Sequence, residues 1–555
     1  MADDTTLLLS RMMKWERERK DRVFLTQPIA KGQVKTYTFG EAMSEARKMA
    51  SYLVSLNLPS GSSIAMLSKN CAHMFLADLA IWLAGHVSVA LYATLPKDSV
   101  EYILSHCDAK ALFVGKPEQW EVQKEGVPKG LPCISFPDSS APGLLRWADV
   151  VGSHSPIAQE VPYDPSGPAA ILYTSGSTGK PKGVVHSFKA ISAACEGLAG
   201  VLKLGDEQRF ISYLPLAHAF ERAAVESMAM WLGAQVFFVD SLETFMEDLQ
   251  RAQPTLFHSV PRLWLKFQQG VLEKIPQDKL TLLLKVPLLN RMIRKKVLGG
   301  LGFSQTRLAV SGSAPIPPEI IAWYCNLGLE LLEGYAMTEN FAYSHLALPN
   351  RTRPGYVGEP LPGVECRLSA QGEVLVKSPA TMLGYHKDPE LTKESFTDDG
   401  FLKTGDRGEI DEANRLRLTG RVKELFKTSK GKYVAPAPIE NLLNADNHVE
   451  LSCVTGLGQP QPFALVLLAE VLRSRVKTQN VREAVDRSLR FMLDRVNQQL
   501  DDHEKLECLV VVDEPWSIKN GLLTPTLKIR RDLIEARYAA AIPTWYEKRT
   551  PVIWI

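Results

Sequence analysis

The stretch that decides the fold reads Tyr173-Thr174-Ser175-Gly176-Ser177-Thr178-Gly179-Lys180-Pro181-Lys182-Gly183. It follows an apolar run at residues 169–173, which predicts a buried strand. Its glycines allow the close backbone approach that anion binding needs, and its hydroxyls and lysines can point at phosphate oxygens. The stretch therefore predicts a phosphate-binding loop. The alternative is a flexible surface turn, which glycine, serine and proline also form.

This loop differs from the Walker A loop of P-loop kinases and GTPases. A Walker A loop has a glycine five residues before the glycine of its Gly-Lys pair and a Ser or Thr after the lysine. Here Thr174 stands at the first of these places and Pro181 at the second. The sequence thus disfavours a P-loop enzyme.

Length and composition describe an ordinary globular protein. The 555 residues predict roughly two to four domains. A net charge of +2 gives no reason to expect a nucleic-acid partner, which a clear basic surplus would indicate. The eight cysteines lack CxxC spacing and are expected to be reduced thiols in a cytoplasmic protein. No membrane span is predicted, since the most apolar stretches, residues 75–92 and 225–239, are interrupted by charged or polar residues.

The first part of the chain alternates between helical and strand patterns. Apolar periodicity predicts helices over residues 40–56, 72–85 and 100–106, and strands over 63–67, 87–91 and 111–114. This alternation of helices and strands indicates a largely parallel, helix-covered sheet. Residues 123–164 are expected to be an irregular connection to the glycine-rich loop.

A strand is predicted over residues 210–218, closed by Pro215 and ending in His218. A lone histidine at a strand end is usually a hydrogen-bonded structural residue, and the alternative is a catalytic residue. Farther on, a basic helix is predicted from Lys285, Arg291, Arg294, Lys295 and Lys296. The basic side chains of this helix are expected to face solvent, and the alternative is that they contact a membrane surface.

Two later strands end in small residues. Residues 308–315 finish in Ser313-Ala314-Pro315, and residues 331–339 finish in Gly334-Tyr335-Ala336-Met337-Thr338-Glu339. Ligands of open α/β folds lie at the carboxyl ends of strands, where small residues leave room for a flat ring. Taken separately, each stretch is also compatible with ordinary turn chemistry, and Glu339 with an ordinary surface acid.

The last third of the chain is strand-rich over residues 356–420 and then becomes basic. A carboxylate such as Asp406 can accept hydrogen bonds from both hydroxyls of a ribose. Residues 420–436 are compatible with a simple basic β-hairpin. Lys528 lies in a proline-flanked loop, where its ammonium could simply be solvated.

In this order, the motifs resemble those of the adenylate-forming superfamily of acyl-CoA synthetases, luciferases and peptide-synthetase adenylation domains. The resemblance covers about residues 35–535. The resemblance is strongest to the long-chain fatty acyl-CoA synthetases, and two sequence motifs carry it: Val260-Pro261-Arg262-Leu263-Trp264 and Leu523-Thr524-Pro525-Thr526-Leu527-Lys528. The resemblance implies an α/β fold with a large N-terminal domain of helix-covered sheets at residues 1–420, including a small β subdomain at 356–420. A small mobile α+β C-terminal domain would follow at 421–555, with a hinge near Lys423.

The resemblance also implies a site for ATP and Mg²⁺. His218 would lie beside the carboxylate being activated. Thr338 would meet the α-phosphate, and Glu339 would bind Mg²⁺ with Thr174. The other nucleotide contacts would come from three motifs: Ser175, Gly176, Ser177, Thr178, Gly179, Lys180 and Lys182 at the β- and γ-phosphates; Ser313, Ala314 and Pro315 along the adenine; and Gly334 and Tyr335, with Tyr335 stacked on the base.

The remaining implied roles belong to the C-terminal part of the chain. Asp406 and Arg421 would contact the ribose, and Lys528 would be the catalytic lysine. Lys427 resembles a lysine associated with thioester formation, and the loop at Lys430-Gly431 would enter the site for the second half-reaction.

The resemblance implies an ATP-dependent fatty acid–CoA ligase that works through an acyl-AMP intermediate, most simply on a medium- to long-chain acid. ATP, Mg²⁺ and coenzyme A are the expected cofactor and substrates. One alternative is a fatty acyl-AMP ligase that passes the acyl group to a carrier protein, and another is a non-catalytic lipid- or nucleotide-binding relative. The expected location is cytoplasmic, with peripheral contact at the inner membrane surface as the further option.

Overall fold

The computed structural model describes residues 6–29, 32–139, 141–159, 161–175, 180–287, 289–524 and 528–555. The chain folds into two compact units. The large unit comprises Met1–Ala314, Glu319–Cys366 and Val376–Lys403, and the small unit comprises Pro315–Pro318, Arg367–Leu375 and Thr404–Ile555. A domain boundary after residue 420 and a hinge near Lys423 stay predictions.

The main sheet of the large unit has eight strands. The strands Ser63–Leu67 and Val87–Leu91 lie at its centre, pair in parallel and are buried along their whole length. Sheets of this kind are covered by helices on both faces. In spatial order the strands are Gly384–Tyr385, Pro181–Ser187, Pro168–Ser175, Val87–Leu91, Ser63–Leu67, Ala111–Val114, Cys133–Ser135 and Leu145–Arg146.

The predicted alternation of helices and strands is confirmed. The helix Phe39–Ser55 begins at a capping box in which the Thr38 hydroxyl accepts from the Glu41 N–H and the Glu41 carboxylate accepts from the Thr38 N–H. The irregular connection predicted over residues 123–164 is wrong in part, since it contains two short strands at one side of the main sheet and the helix Trp147–Ser153. These strands have three and two residues, too few for periodicity to reveal, and are defined by pairing with the sheet.

Two smaller sheets complete the large unit. The first has four strands, in the order Arg209–Ser212, Gln235–Phe238, Val23–Pro28 and Val34–Thr38. The second has five strands, in the order Leu256–Ser259, Leu308–Ser311, Leu331–Tyr335, His345–Leu346 and Glu359–Pro360. The first three strands of this second sheet are parallel, so their carboxyl ends lie at one edge.

The helices before residue 403 surround these sheets. They are Leu8–Glu18, Phe39–Ser55, Ala72–Leu83, Lys97–His106, Trp120–Gln123, Trp147–Ser153, Phe188–Val201, Ala219–Glu221, Met228–Leu232, Phe245–Ala252, Pro261–Lys274, Gln277–Lys285, Leu289–Gly300, Pro318–Asn326 and Pro389–Glu394. A π-helical turn spans Arg222–Ser227.

The single basic helix expected around residue 290 is in fact two helices. Lys285 is the last residue of Gln277–Lys285, whereas Arg291, Arg294, Lys295 and Lys296 lie on Leu289–Gly300. Pro287 lies in the break, where its missing N–H and fixed φ favour an end to the first helix.

The strand-rich segment contains a four-stranded sheet in the order Glu365–Leu368, Glu373–Lys377, Leu402–Ile410 and Leu416–Arg421. The end of the chain then forms a two-stranded ribbon, Phe426–Lys427 with Tyr433–Val434, and a four-stranded sheet of Val449–Thr455, Phe463–Leu468, Leu509–Val512 and Val552–Trp554. Its helices are Pro436–Asn444, Glu470–Arg473, Gln479–Asn497, Arg531–Tyr538 and Ile542–Lys548.

The last sheet is packed on both faces. Along Phe463–Leu468, alternate side chains join two different apolar clusters: Val466 belongs to the cluster that includes Leu489, and Leu465 to the cluster that includes Trp545. This follows from the two-residue repeat of a strand. All eight cysteines are free thiols. In the described part of the chain, none of the helices combines the length and apolarity needed to cross a membrane.

Candidate active site

The strands Pro168–Ser175 and Pro181–Ser187, which flank the glycine-rich stretch, pair antiparallel as a hairpin. Thr174 pairs with Lys182 across this hairpin. The Lys182 ammonium lies 5.6 Å from the ring centre of Tyr385, and the Lys180 ammonium lies 6.0 Å from that of Tyr102. The predicted contacts of Gly176, Ser177, Thr178 and Gly179, and of the Ser175 side chain, lie outside the described residues.

The predicted Mg²⁺ ligand Glu339 lies in a short 3₁₀ helix, Thr338–Asn340. Its Oε1 accepts a hydrogen bond of 2.7 Å from the Tyr385 hydroxyl, and its carbonyl accepts one of 2.8 Å from the Met382 N–H. Burial and the neighbouring Glu339 carboxylate raise the pKa of Tyr385, which keeps the phenol a donor. Tyr385 therefore contacts both Glu339 and Lys182.

This arrangement fits a hard cation. Glu339 is half-buried and one of its oxygens is oriented by Tyr385, while Thr174 offers a half-buried hydroxyl. Within the described ranges no group of three or more His, Cys, Asp or Glu residues is arranged to hold a metal ion. Mg²⁺ retains water and phosphate ligands and needs few protein groups. Glu339 and Thr174 would thus suit an ion that arrives with a polyphosphate.

The two small-residue turns lie side by side. Ser311 pairs with Glu333 in the parallel strands that precede Ser313-Ala314 and Gly334-Tyr335. Ser313 has φ +68°, a conformation that costs a non-glycine residue free energy and that clusters at functional sites. The ring of Tyr335 lies 6.0 Å from that of His345. Pro315, the third residue predicted to line the adenine, belongs to the small unit.

The position of His218 differs from the prediction. The strand ends at Ser212, and His218 caps the short helix Ala219–Glu221, where its Nδ1 accepts a hydrogen bond of 3.2 Å from the Phe220 N–H. Pro215, which lacks an N–H for the sheet, lies in the intervening loop. The Phe220 ring comes within 3.2 Å of the position that a Cβ on Gly312 would take. His218 therefore lies two residues from a ring that packs close to Gly312, which precedes the residues predicted to line the adenine.

A buried acid–histidine pair supports this region, and sequence reasoning did not find it. His258 Nε2 lies 2.8 Å from Glu221 Oε2. The other oxygen of Glu221 accepts bonds from the Ser212 hydroxyl at 2.8 Å and the Tyr213 N–H at 3.0 Å. The His258 ring also meets the Phe220 ring edge-on at 4.9 Å. Neither spacing nor periodicity pointed to this pair, because its residues come from different elements.

In the small unit, the two residues expected at the ribose are neighbours. Asp406 and Arg421 face each other on antiparallel strands, with Arg421 Nε 3.1 Å from Asp406 Oδ1. The preceding turn is held by its own hydrogen bonds: the Thr404 hydroxyl donates to the Val374 carbonyl at 2.8 Å, and Glu373 Oε1 accepts from the Gly405 N–H at 2.9 Å.

The basic β-hairpin is present. Lys427 pairs with Tyr433, whose ring centre lies 5.6 Å from the lysine ammonium. Lys430 and Gly431 form its tip, where Gly431 has φ +79° and its N–H donates to the Thr428 carbonyl at 2.9 Å. Lys427 and Lys430 are exposed.

The predicted catalytic lysine follows a gap in the described residues. Lys528 is exposed, and its N–H donates to the Thr524 hydroxyl at 3.1 Å. The Thr524 N–H donates to the Lys528 carbonyl at 2.8 Å, so the two ends of the loop are tied together.

The architecture is that of the α/β adenylate-forming proteins, with a large N-terminal part and a smaller C-terminal part. The model of the AMP-binding enzyme family matches residues 13–386, and that of the AMP-binding enzyme C-terminal domain matches residues 424–550. The chain therefore belongs to the AMP-binding enzyme family.

Similar curated proteins align over most of the chain. The peroxisomal long chain acyl-CoA synthetase 6 of Arabidopsis thaliana is 30% identical over 581 residues, covering 93% of this chain and 82% of that protein. Fatty acyl-CoA synthetase A of Dictyostelium discoideum is 30% identical over 588 residues, covering 93% and 86%. Long-chain-fatty-acid–CoA ligase 1 of Homo sapiens is 28% identical over 547 residues, covering 87% and 78%.

Solved structures share the fold. The anthranilate CoA ligase AuaEII in complex with anthranoyl-AMP superposes with a TM-score of 0.78 at 21% identity, covering 97% of this chain and 98% of that one. The A domain of a carboxylic acid reductase from Segniliparus rugosus superposes with a TM-score of 0.80 at 20% identity, covering 99% and 95%.

Proposed function

We propose that this protein is an ATP-dependent fatty acid–CoA ligase that forms acyl-CoA, AMP and pyrophosphate in two steps. It is an enzyme of the acid–thiol ligase class, whose substrates are a fatty acid, ATP and coenzyme A. The observation that carries the proposal is the 30% identity over 93% of the chain to proteins named acyl-CoA synthetases. The contact of Tyr385 with both Glu339 and Lys182 gives it a physical basis.

In the first step, an oxygen of the fatty carboxylate attacks the α-phosphorus of ATP, and the bond to the β-phosphate oxygen breaks to release pyrophosphate. Lys180 and Lys182 bind the leaving phosphates, Thr338 holds the α-phosphate and His218 lies beside the carboxylate. Glu339 and Thr174 would hold Mg²⁺, which would supply neutralising charge at the phosphate oxygens. Lys528 stabilises the negative charge that the attacking and bridging oxygens share.

In the second step, the thiol of coenzyme A attacks the acyl carbonyl carbon of acyl-AMP, the C–O bond to the phosphate breaks and AMP leaves. The C-terminal domain, residues 421–555, turns about Lys423 between the steps and brings Lys427 and the Lys430-Gly431 loop to the site. Each closed state excludes water from a hydrolysable intermediate. Asp406 and Arg421 contact the ribose.

A substrate panel tests this function. The purified protein is incubated with ATP, Mg²⁺, coenzyme A and even-chain acids from acetate to stearate, with benzoate as an aromatic control, and acyl-CoA is measured by mass spectrometry. Acyl-CoA formation that peaks with medium- or long-chain acids supports the proposal. Acyl-AMP without acyl-CoA favours the carrier-dependent alternative. Absence of ATP–pyrophosphate exchange with every acid, measured in a separate assay, favours a non-catalytic relative.

We also infer peripheral contact with an anionic membrane at the helices Gln277–Lys285 and Leu289–Gly300. Leu282 and Met292 expose 65% and 68% of their surface there, and Lys285, Arg291, Lys295 and Lys296 are exposed on the same two helices. Basic residues beside exposed apolar side chains favour an anionic interface. In a flotation assay, the protein should be recovered with anionic vesicles, and a Leu282→Glu/Met292→Glu variant should not. Phe491→Glu, on another exposed residue, is the control, and equal retention of all three proteins would contradict the inference.

A further inference from the structure

The backbone that follows Glu339 adopts an unfavourable conformation. Phe341 has φ +49° and Ala342 has φ +56°, so two consecutive residues with side chains lie in the left-handed region. Such backbone persists only where surrounding contacts hold it, and it clusters at functional sites. The contacts that hold this turn therefore determine where Thr338 and Glu339 lie.

One of these contacts comes from His186. Its Nε2 lies 2.8 Å from the Thr338 carbonyl oxygen, and its ring meets the Phe341 ring at 5.0 Å and 67°. Because a carbonyl only accepts, Nε2 must carry the proton. The same side chain thus holds the turn both before and after Glu339.

The environment of His186 keeps this arrangement fixed. The side chain is fully buried, and burial lowers its pKa to about 4, with the nearby Arg222 charge acting in the same direction. The imidazole is therefore neutral near neutral pH. Its Nδ1 accepts no hydrogen bond from the described residues, so the Thr338 carbonyl is the polar partner that fixes the tautomer.

His186 lies on the strand that leaves the glycine-rich loop. That strand, Pro181–Ser187, also carries Lys182, and it accepts hydrogen bonds at the Gly183 and Val185 carbonyls from the segment that contains Tyr385. A single strand thus carries both Lys182 and His186, and it is hydrogen-bonded to the Thr338 carbonyl and to the segment that contains Tyr385, which donates to Glu339.

We propose that His186 is a positioning residue of the adenylation site, which sets the place of the Thr338–Glu339 turn relative to the phosphate-binding loop. This inference rests on the function proposed above. Loss of its hydrogen bond moves the groups that meet the α-phosphate and Mg²⁺ without removing any of them. A displacement of this kind lowers the rate of the chemical step more than it lowers substrate binding.

Three variants test the proposal. His186→Phe keeps a ring but has no donor, and His186→Gln places an amide N–H at a similar reach. His86→Phe is the matched control, because His86 is also buried but precedes the strand Val87–Leu91 at the end opposite its carboxyl edge. Acyl-AMP formation is measured by pyrophosphate release, together with KM for ATP and for the acid, the thermal midpoint, and the imidazole nitrogen shifts by NMR.

His186→Phe should lower kcat for acyl-AMP formation by about ten- to a hundredfold, with KM for the acid within about threefold and little change in thermal midpoint. His186→Gln should recover most of this loss, His86→Phe should match the wild type, and NMR should show the Nε2–H tautomer. Unchanged kcat in His186→Phe, or a loss that the glutamine does not rescue and that follows the thermal midpoint, would overturn the proposal. A wild-type protein that forms no acyl-AMP would instead overturn the proposed function.

Discussion

Tyr385→Phe should raise the Mg²⁺ concentration that adenylation requires without unfolding the protein. The substitution removes only the hydroxyl that donates to Glu339 Oε1 at 2.7 Å. A hydrogen bond to a charged group contributes about 1.5–3 kcal/mol when it is well shielded. The side chains of Tyr385 and Glu339 are half-exposed, so the contribution of this bond lies near the lower end of that range. A loss of about 1.5 kcal/mol corresponds to roughly a tenfold higher half-saturating Mg²⁺ concentration.

The assay is pyrophosphate release at saturating ATP and acid over a Mg²⁺ titration. Direct binding of Mn²⁺ to the protein–ATP complex, followed by electron paramagnetic resonance, gives a second readout that does not depend on turnover. Tyr324→Phe is the control: its hydroxyl donates a buried 2.7 Å bond to the Trp264 carbonyl, so its loss should lower stability and leave the Mg²⁺ curve in place. An unchanged Mg²⁺ curve and Mn²⁺ affinity in Tyr385→Phe would refute the idea that Tyr385 orients a metal ligand.

Three further predictions concern the small unit. Lys528→Ala should abolish acyl-AMP formation and leave thioester formation from supplied acyl-AMP largely intact, and equal loss of both steps in single-turnover assays would contradict the assigned role. Arg531→Met should destabilise the small unit by about 3–5 kcal/mol in denaturant unfolding, because it leaves the buried carboxylate of Glu440 without its cationic partner. The two oxygens of Glu440 accept hydrogen bonds from Arg531 at 2.7 and 2.9 Å. A change below about 1 kcal/mol would contradict this. The pKa of Asp446 lies below 3.8, since burial raises it but the hydrogen bonds from His448 lower it more. The stabilisation from ionised Asp446 is therefore present above about pH 4 and is lost as the pH falls. Asp446→Asn should flatten the dependence of the unfolding free energy on pH between about pH 5 and 3. A pH dependence equal to that of the wild type would contradict this.

Regular elements with a strong repeat could be read from the sequence. Ser63–Leu67, Val87–Leu91 and Ala111–Val114 have the bounds that were predicted, because parallel strands buried on both faces need mostly apolar residues. Cys133–Ser135 could not be predicted, since a three-residue strand is defined by its neighbours in the sheet. The strand assigned up to His218 failed because an apolar run also suits a buried loop.

The candidate site was predictable where glycines and charged residues form linear motifs. Asp406 and Arg421 were assigned separately, and the structure adds that they face each other across one strand pair. Tyr385 and His186 received no role, because each acts through a contact with a turn about 50 or 150 residues distant. Contacts of this kind depend on sheet pairing, which local patterns do not specify.

The most direct test of the proposed chemistry follows one oxygen atom. A fatty acid labelled with heavy oxygen in its carboxylate is converted with ATP and coenzyme A, and the AMP and pyrophosphate are analysed by mass spectrometry. Attack of the carboxylate on the α-phosphorus, followed by cleavage of the acyl C–O bond, predicts AMP that carries one labelled oxygen and unlabelled pyrophosphate. Unlabelled AMP, or label in inorganic phosphate, would contradict an acyl-AMP intermediate.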